Sequence, residues 1–188
     1  MEGQVTLKFA VHAAGRLVGW LTPFCERIAV AGSIRRERPA PADIDLVAIP
    51  RIAVQHDLLG AECARRNLLF EEIARRVAAE ARWELVRGGT EAAQNVCTFI
   101  ANAVQVDVFC ATDQTWGTVL LCRTGSKDHN IWLAQRAQRF GGHWNPHQSL
   151  TIRARAIPTF TEEAIYTALD VRFIEPKDRE IEYLRRLT

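Results

Sequence analysis

Residues 43–49, Asp-Ile-Asp-Leu-Val-Ala-Ile, constrain this chain more than any other stretch. They read as a β-strand that Pro50 closes. Side chains two apart in a strand share a face. Ile44 and Leu46 therefore turn toward a core, and Asp43 and Asp45 project together from the other side. A second β-rich run, Val104–Cys110, carries Asp107. If the two strands are neighbours, three carboxylates converge on one sheet face. A pair of acids on the solvent face of an edge strand is the plainer alternative, and the local pattern alone leaves both open.

The rest of the chain supplies partners for such a sheet. Apolar residues at helical spacing (Leu7, Val11, Ala14, Val18, Leu21) predict a helix over 5–24 that ends at Pro23. Ile28–Ala31 reads as a short buried strand stopped by Gly32-Ser33, and 34–42 as an exposed loop. Residues 57–82 read as helical, with Glu71/Arg75 and Glu72/Arg76 as i,i+4 pairs. Strands follow at Trp83–Arg87, Val96–Ile100 and Val104–Cys110, with Gly88-Gly89 and Asn102 supplying the turns. A helix begins within Thr112–Val119 and leads into Leu120–Arg123. Another covers 127–140 and ends at Gly141-Gly142, and Thr161 caps one over 162–169. The charged residues Lys177–Thr188 are expected to fray or dock weakly. This order predicts an α+β fold: a mixed sheet with flanking helices over residues 1–120, then a small basic subdomain over 121–188.

Composition narrows the function classes. With 188 residues, 48% of them apolar and 24% charged, the chain is of the globular kind. No apolar run approaches the ~18–20 residues that span a bilayer, so no membrane role is expected. The start, Met1-Glu2-Gly3-Gln4, lacks the pattern of a secretory signal. Five cysteines with no CxxC or CxxH pair suggest free thiols in a reducing, cytoplasmic setting rather than a zinc site. Cys97 and Cys110, both in strands, read as small core hydrophobes. No Ser/His/Asp or Cys/His spacing suggests a hydrolase.

The net charge of +2 hides an asymmetry, because 123–155 holds six Arg or Lys against Asp128 alone. His129, His143, His147, Trp132 and Trp144 are interleaved there. Such a stretch suits a phosphate backbone and exposed bases. It equally suits a solvated face over core tryptophans. Arg123, Lys127 and Arg136 are the candidate nucleic-acid contacts in this stretch. Trp116, Trp132 and Trp144 are expected to be buried, and His129 to point outward.

Three unpaired carboxylates repel unless a cation lies between them, and hard divalent ions with oxygen ligands fill that role. Two such ions ~4 Å apart can activate an attacking hydroxyl and stabilise a leaving pyrophosphate. Upstream, Gly32 allows close backbone approach to a phosphate, and Arg36 could pair with a triphosphate. The segment Gly32-Ser33-Ile34-Arg35-Arg36 followed by Asp43-Ile44-Asp45-Leu46-Val47 resembles the signature of DNA polymerase beta-type nucleotidyltransferases. Thr124-Gly125-Ser126-Lys127-Asp128-His129-Asn130 resembles a second motif, and residues 161–176 resemble the end of a thumb, both those of family X DNA polymerases.

The resemblance, from about residue 9 to 180, implies a nucleotidyltransferase palm followed by a thumb. It implies Asp43, Asp45 and Asp107 as catalytic residues and metal ligands for two Mg²⁺ ions, with Mn²⁺ able to substitute. It further implies nucleotide binding by Gly32, Ser33, Arg36, Gly125, Ser126 and Asn130. The implied reaction is DNA-directed DNA synthesis, with nucleotidyl transfer from a dNTP to a primer 3′-hydroxyl in gap filling or repair, on primer–template or gapped DNA. A non-DNA acceptor and a catalytically silent DNA-binding module are the alternatives. The family's lyase and helix-hairpin-helix regions have no counterpart here, so the chain is expected to be a minimal palm-plus-thumb form, with a protein partner as one source of those lobes. Cys122 and Arg123 replace residues that are usually aromatic beside the sugar, which implies tolerance of rNTPs. Gln105 and Ala134 stand where the family often has arginine.

Overall fold

The computed structural model of the protein describes residues 6–89, 95–145 and 149–180. His147 and the end of the charged tail lie outside them. The chain is α+β. Among the described residues the helices are α1 (Leu7–Leu21), α2 (Gly32–Arg35), α3 (Leu68–Ala79), α4 (Trp116–Thr124), α5 (Lys127–Arg139) and α6 (Glu162–Ala168). The strands are β1 (Cys25–Val30), β2 (Ile44–Pro50), β3 (Ile52–His56), β4 (Glu62–Asn67), β5 (Trp83–Arg87), β6 (Val96–Ala101), β7 (Val104–Cys110), β8 (Gly142–Trp144), β9 (Leu150–Ile152) and β10 (Arg155–Ile157).

Five strands form a mixed sheet in the order β1-β2-β7-β6-β5. Only β2 and β7 run parallel; the other neighbours are antiparallel. One face packs Ile44, Leu46, Ala48, Val106 and Val108 against Ala10, Ala14 and Leu21 of α1 and Leu69, Phe70 and Ile73 of α3. On the opposite face Val47 and Ile49 pack with Trp116, Val119 and Leu120 of α4. β2 is thus covered on both sides along most of its length, which is why its apolar residues run nearly without interruption. A third core joins Leu121, Leu133 and Ala137 of α4 and α5 to Trp144, Leu150, Ile165, Tyr166 and Leu169. Beside it lies the small antiparallel sheet β10-β9-β8.

The segment 57–82 is not one helix. Residues 52–67 form the β3–β4 hairpin, and α3 begins only at Leu68. Asp57 makes the turn: its Oδ1 accepts from the Leu59 and Ala61 amides, at 2.8 and 2.9 Å. The hairpin projects into solvent and buries little of either strand, so it carries no alternating pattern to read. The expected Glu71/Arg75 and Glu72/Arg76 pairs are replaced. Glu72 turns inward to accept from Trp20 Nε1 at 2.8 Å and pairs with Arg75, and Glu71 pairs with Arg66 of the hairpin. Segment 34–42 is likewise not wholly an exposed loop. Ile34 is buried in the first core, and only 37–40 are exposed throughout.

His129 does not point outward. It is fully buried, with Nε2 2.8 Å from the Tyr166 hydroxyl. Burial, then the Arg179 charge, pushes its pKa down to about 3, so it stays neutral. Trp116 and Trp144 are buried as expected, whereas Trp132 is only half-buried. Cys97 is buried and Cys110 half-buried, and all five cysteines are free thiols. No helix among the described residues is long and apolar enough to cross a membrane.

Candidate active site

The parallel register of β2 and β7 sets Asp45 directly beside Asp107, and Asp43 precedes β2 by one residue. Burial, then the charges of Asp43 and Asp107, raises the Asp45 pKa to about 7; Arg123 and Arg36 oppose that rise. The three carboxylates therefore feel one another. Asp107 is also tied to its own sheet. Thr98, opposite it on β6, donates to Oδ1 at 2.5 Å, and Gln105 Nε2 donates to Oδ2 at 2.7 Å. Among the described residues no three His, Cys, Asp or Glu side chains are arranged to hold a metal ion as they stand.

The donor set nonetheless fits a hard divalent cation in its chemistry: three carboxylates, all oxygen, with Asp45 destabilised as an anion by burial first and then by the charges of Asp43 and Asp107. Asp43, Asp45 and Asp107 would hold it, with Asp107 turning from Thr98 and Gln105. Gly32 is matched to this cluster. Its φ is +61°, and a Cβ there would collide with the Asp45 carboxylate. Beside it the Ser33 hydroxyl oxygen is buried with no hydrogen-bond partner, a polar atom placed where a ligand oxygen could satisfy it.

Arg36 reaches across to the C-terminal end of α4. It donates to the Thr124 carbonyl, and its Nε donates to Glu180 at 2.9 Å. Gly125, with φ +72°, leaves room for that guanidinium, and the Gly125–Ser126 peptide is cis. Ser126 caps α5 by accepting from the His129 amide, and its hydroxyl donates to the Arg179 carbonyl. Asn130 Nδ2 donates to the Cys122 carbonyl at 2.9 Å, and Asn130 Oδ1 is buried without a partner. Arg123 lies with its guanidinium 3.9 Å from the Phe109 ring centroid. Lys127 is exposed at the start of α5. Arg136 instead spends its donors on the Leu169 and Asp170 carbonyls after α6.

A buried charge network went unread in the sequence. Arg35 donates two hydrogen bonds to Glu162, at 2.8 and 2.6 Å, and a third to Thr124 Oγ1. On the other side of Glu162 stands Arg179, fully buried, at 2.8 Å. Burial alone would raise Glu162, but the Arg35 hydrogen bonds and the Arg179 charge outweigh it and hold its pKa below the ordinary range. The network joins α2 to α4 and α6. In the sequence Glu162 looks like a helix first-turn acid and Arg179 like one charge in a polar tail. Only their separation of 17 residues from each other and of more than 120 from Arg35, closed by the fold, gives them meaning.

Residues 119–180 match the DNA polymerase beta thumb family. Over 175 residues, 92% of this chain, the sequence is 28% identical to a DNA polymerase/3′-5′ exonuclease PolX of Bacillus subtilis strain 168. The chain spans 28% of that protein's length. Among solved structures, polymerase beta of Leishmania infantum, in a ternary primer–template complex, superposes with a TM-score of 0.72 at 14% identity. That match covers 95% of this chain and 77% of the other. The architecture is therefore of the polymerase beta kind. More narrowly, this chain has a family X DNA polymerase-like fold.

Proposed function

We propose that the protein is a metal-dependent nucleotidyltransferase of the family X type that extends DNA. The observation carrying this reading is the in-register pairing of Asp45 with Asp107 on parallel strands, with Asp43 two residues ahead of Asp45. In the proposed reaction a primer 3′-oxygen attacks the α-phosphorus of a nucleoside triphosphate, the hydroxyl proton is lost, and pyrophosphate leaves. Mg²⁺, or Mn²⁺ in its place, would supply charge neutralisation at the transferring phosphate when bound. Asp107 would orient the attacking hydroxyl. Gly32, Ser33 and Arg36 would receive the triphosphate, with the buried Ser33 hydroxyl gaining its missing partner. Gly125 and Ser126 would shape the floor beside the sugar, Asn130 would offer its unpartnered Oδ1, and Arg123 and Lys127 would meet DNA phosphates. Catalysis of this kind is mainly positioning and electrostatic stabilisation. Arg123 in place of an aromatic side chain supports acceptance of rNTPs as well as dNTPs.

The hydrogen bonds that hold Asp107 to Thr98 and Gln105 favour a second reading, a DNA-binding module without catalysis. One experiment separates the two: primer extension on single-stranded, nicked and gapped DNA with Mg²⁺ or Mn²⁺ and either dNTPs or rNTPs. Incorporation by the parent that is lost in Asp107→Ala supports transfer. DNA binding without incorporation under every condition supports the silent module.

A further inference from the structure

The last turn of α4 lays Arg123 on the carboxylate face of the sheet. Its guanidinium stands over Phe109, at 3.9 Å. Phe109 pairs with Val47, and these two residues lie two positions beyond Asp107 and Asp45 on β7 and β2. By the strand period all four share a face, so the ring that seats the guanidinium is one side-chain row, about 7 Å, from the paired aspartates. Arg123 is only partly exposed, and stacking on an aromatic ring fixes a planar cation more firmly than a surface ion pair does. A cavity of about 360 Å³ is lined by Arg123, Phe109, Val119 and Ile49 and by none of the three aspartates. Arg123 thus borders both that cavity and the field of the acids.

We propose that Arg123 is a resident counter-cation of the aspartate cluster, which an incoming divalent ion must overcome, and that it sets the metal affinity of the site. The inference rests on the metal-dependent reading above and deepens it. A fixed positive charge offsets part of the carboxylate repulsion when no metal is bound. The same charge repels a dication that approaches those carboxylates. At a separation near 7–8 Å and an intermediate dielectric, removing it strengthens binding of a divalent ion by roughly tenfold or more. With no DNA present, Arg123 acts on the acids as a charge-balancing residue.

The test is a Mn²⁺ titration followed by electron paramagnetic resonance of the free ion, with neither nucleotide nor DNA present. Arg123→Gln is expected to bind Mn²⁺ at least fivefold more tightly than the parent, and Arg123→Lys, which keeps the charge, within twofold of it. Should Arg123→Gln fail to fold, Arg123→Met, which also removes the charge and keeps an apolar stem on the Phe109 ring, carries the same expectation of tighter binding. A purely structural role would lower the melting temperature of these variants without tightening Mn²⁺. Asp45→Asn distinguishes the two levels of the claim. If it loses Mn²⁺ binding while neither Arg123→Gln nor Arg123→Met tightens it, the Arg123 inference is overturned and the metal site stands. If Asp45→Asn binds Mn²⁺ like the parent, the ion lies elsewhere and both are overturned.

Discussion

Asp45→Asn is expected to stabilise the metal-free protein, and by an amount that depends on pH. The Asp45 pKa rises from 3.8 to about 7 on folding, through burial first and then through Asp43 and Asp107. Between those values the native state holds a proton that the unfolded chain has released. Stability therefore falls as pH rises through that window, and the penalty is fully expressed above about pH 7. Three pKa units correspond to about 4 kcal/mol, which solvent screening at a partly exposed site reduces to about 2–4 kcal/mol. Asparagine keeps the shape beside Gly32 and has no charge to strand. In a chain of this size each kcal/mol moves the melting temperature by about 2–4 °C, so the variant should melt about 5–15 °C higher at pH 8. The offset should shrink toward zero near pH 4. Differential scanning fluorimetry in EDTA across pH 4–9 reads both the size and the shape of the effect. Added Mg²⁺ should stabilise the parent, by about 1.4 kcal/mol at ten times its dissociation constant, and leave the variant unmoved. An offset of the same size at pH 4.5 and pH 8, or a variant that melts below the parent at pH 8, would refute the electrostatic reasoning.

Other predictions follow from the contacts around the site. Glu162→Gln leaves Arg35 and the buried Arg179 without their shared carboxylate, and urea denaturation should register a loss of about 3–5 kcal/mol. Since folding lowers the Glu162 pKa, its contribution is present above the unfolded value and should fade as pH falls through the folded one. Glu180→Gln frees Arg36 from an ion pair that a triphosphate must displace, so the dissociation constant for a nucleoside triphosphate should fall severalfold by calorimetry; unchanged affinity would mean that Arg36 does not meet the phosphates. DNA affinity, read by fluorescence anisotropy, should drop steeply between about 50 and 200 mM salt, and a flat response would remove Arg123 and Lys127 as phosphate contacts.

How much of this was legible in the sequence varies with the range of the interaction. β7 is legible because apolar residues alternate through it with Asp107 at a fixed phase, and β2 because a nearly continuous apolar run follows its Asp-Ile-Asp start. The helix cap at Thr161 obeys an equally local rule, whereas the cap at Ser126 is shown only by the structure. The β3–β4 hairpin is not legible because an exposed pair has no buried face to pattern it, and its residues pass for an exposed helix. The burial of His129 is hidden for a different reason. One polar residue near a helix start gives no hint that Tyr166, 37 residues on, will supply its partner. Arg35, Glu162 and Arg179 belong to the same class: their roles exist only once the charges are brought together, and no single-sequence period encodes that. The orientation of the Asp107 carboxylate, turned toward Thr98 and Gln105, is finer still, since strand phase fixes the face but not the rotamer.

The central claim is that Asp43, Asp45 and Asp107 together bind a divalent cation. Anomalous diffraction at the manganese edge, from crystals grown with Mn²⁺ and a non-hydrolysable nucleoside triphosphate, tests it most directly. The account predicts a peak within coordination distance of all three carboxylates, with Asp107 released from Thr98 and Gln105. Absence of any peak there, or an ion held by other residues while Asp107 keeps both hydrogen bonds, would contradict it.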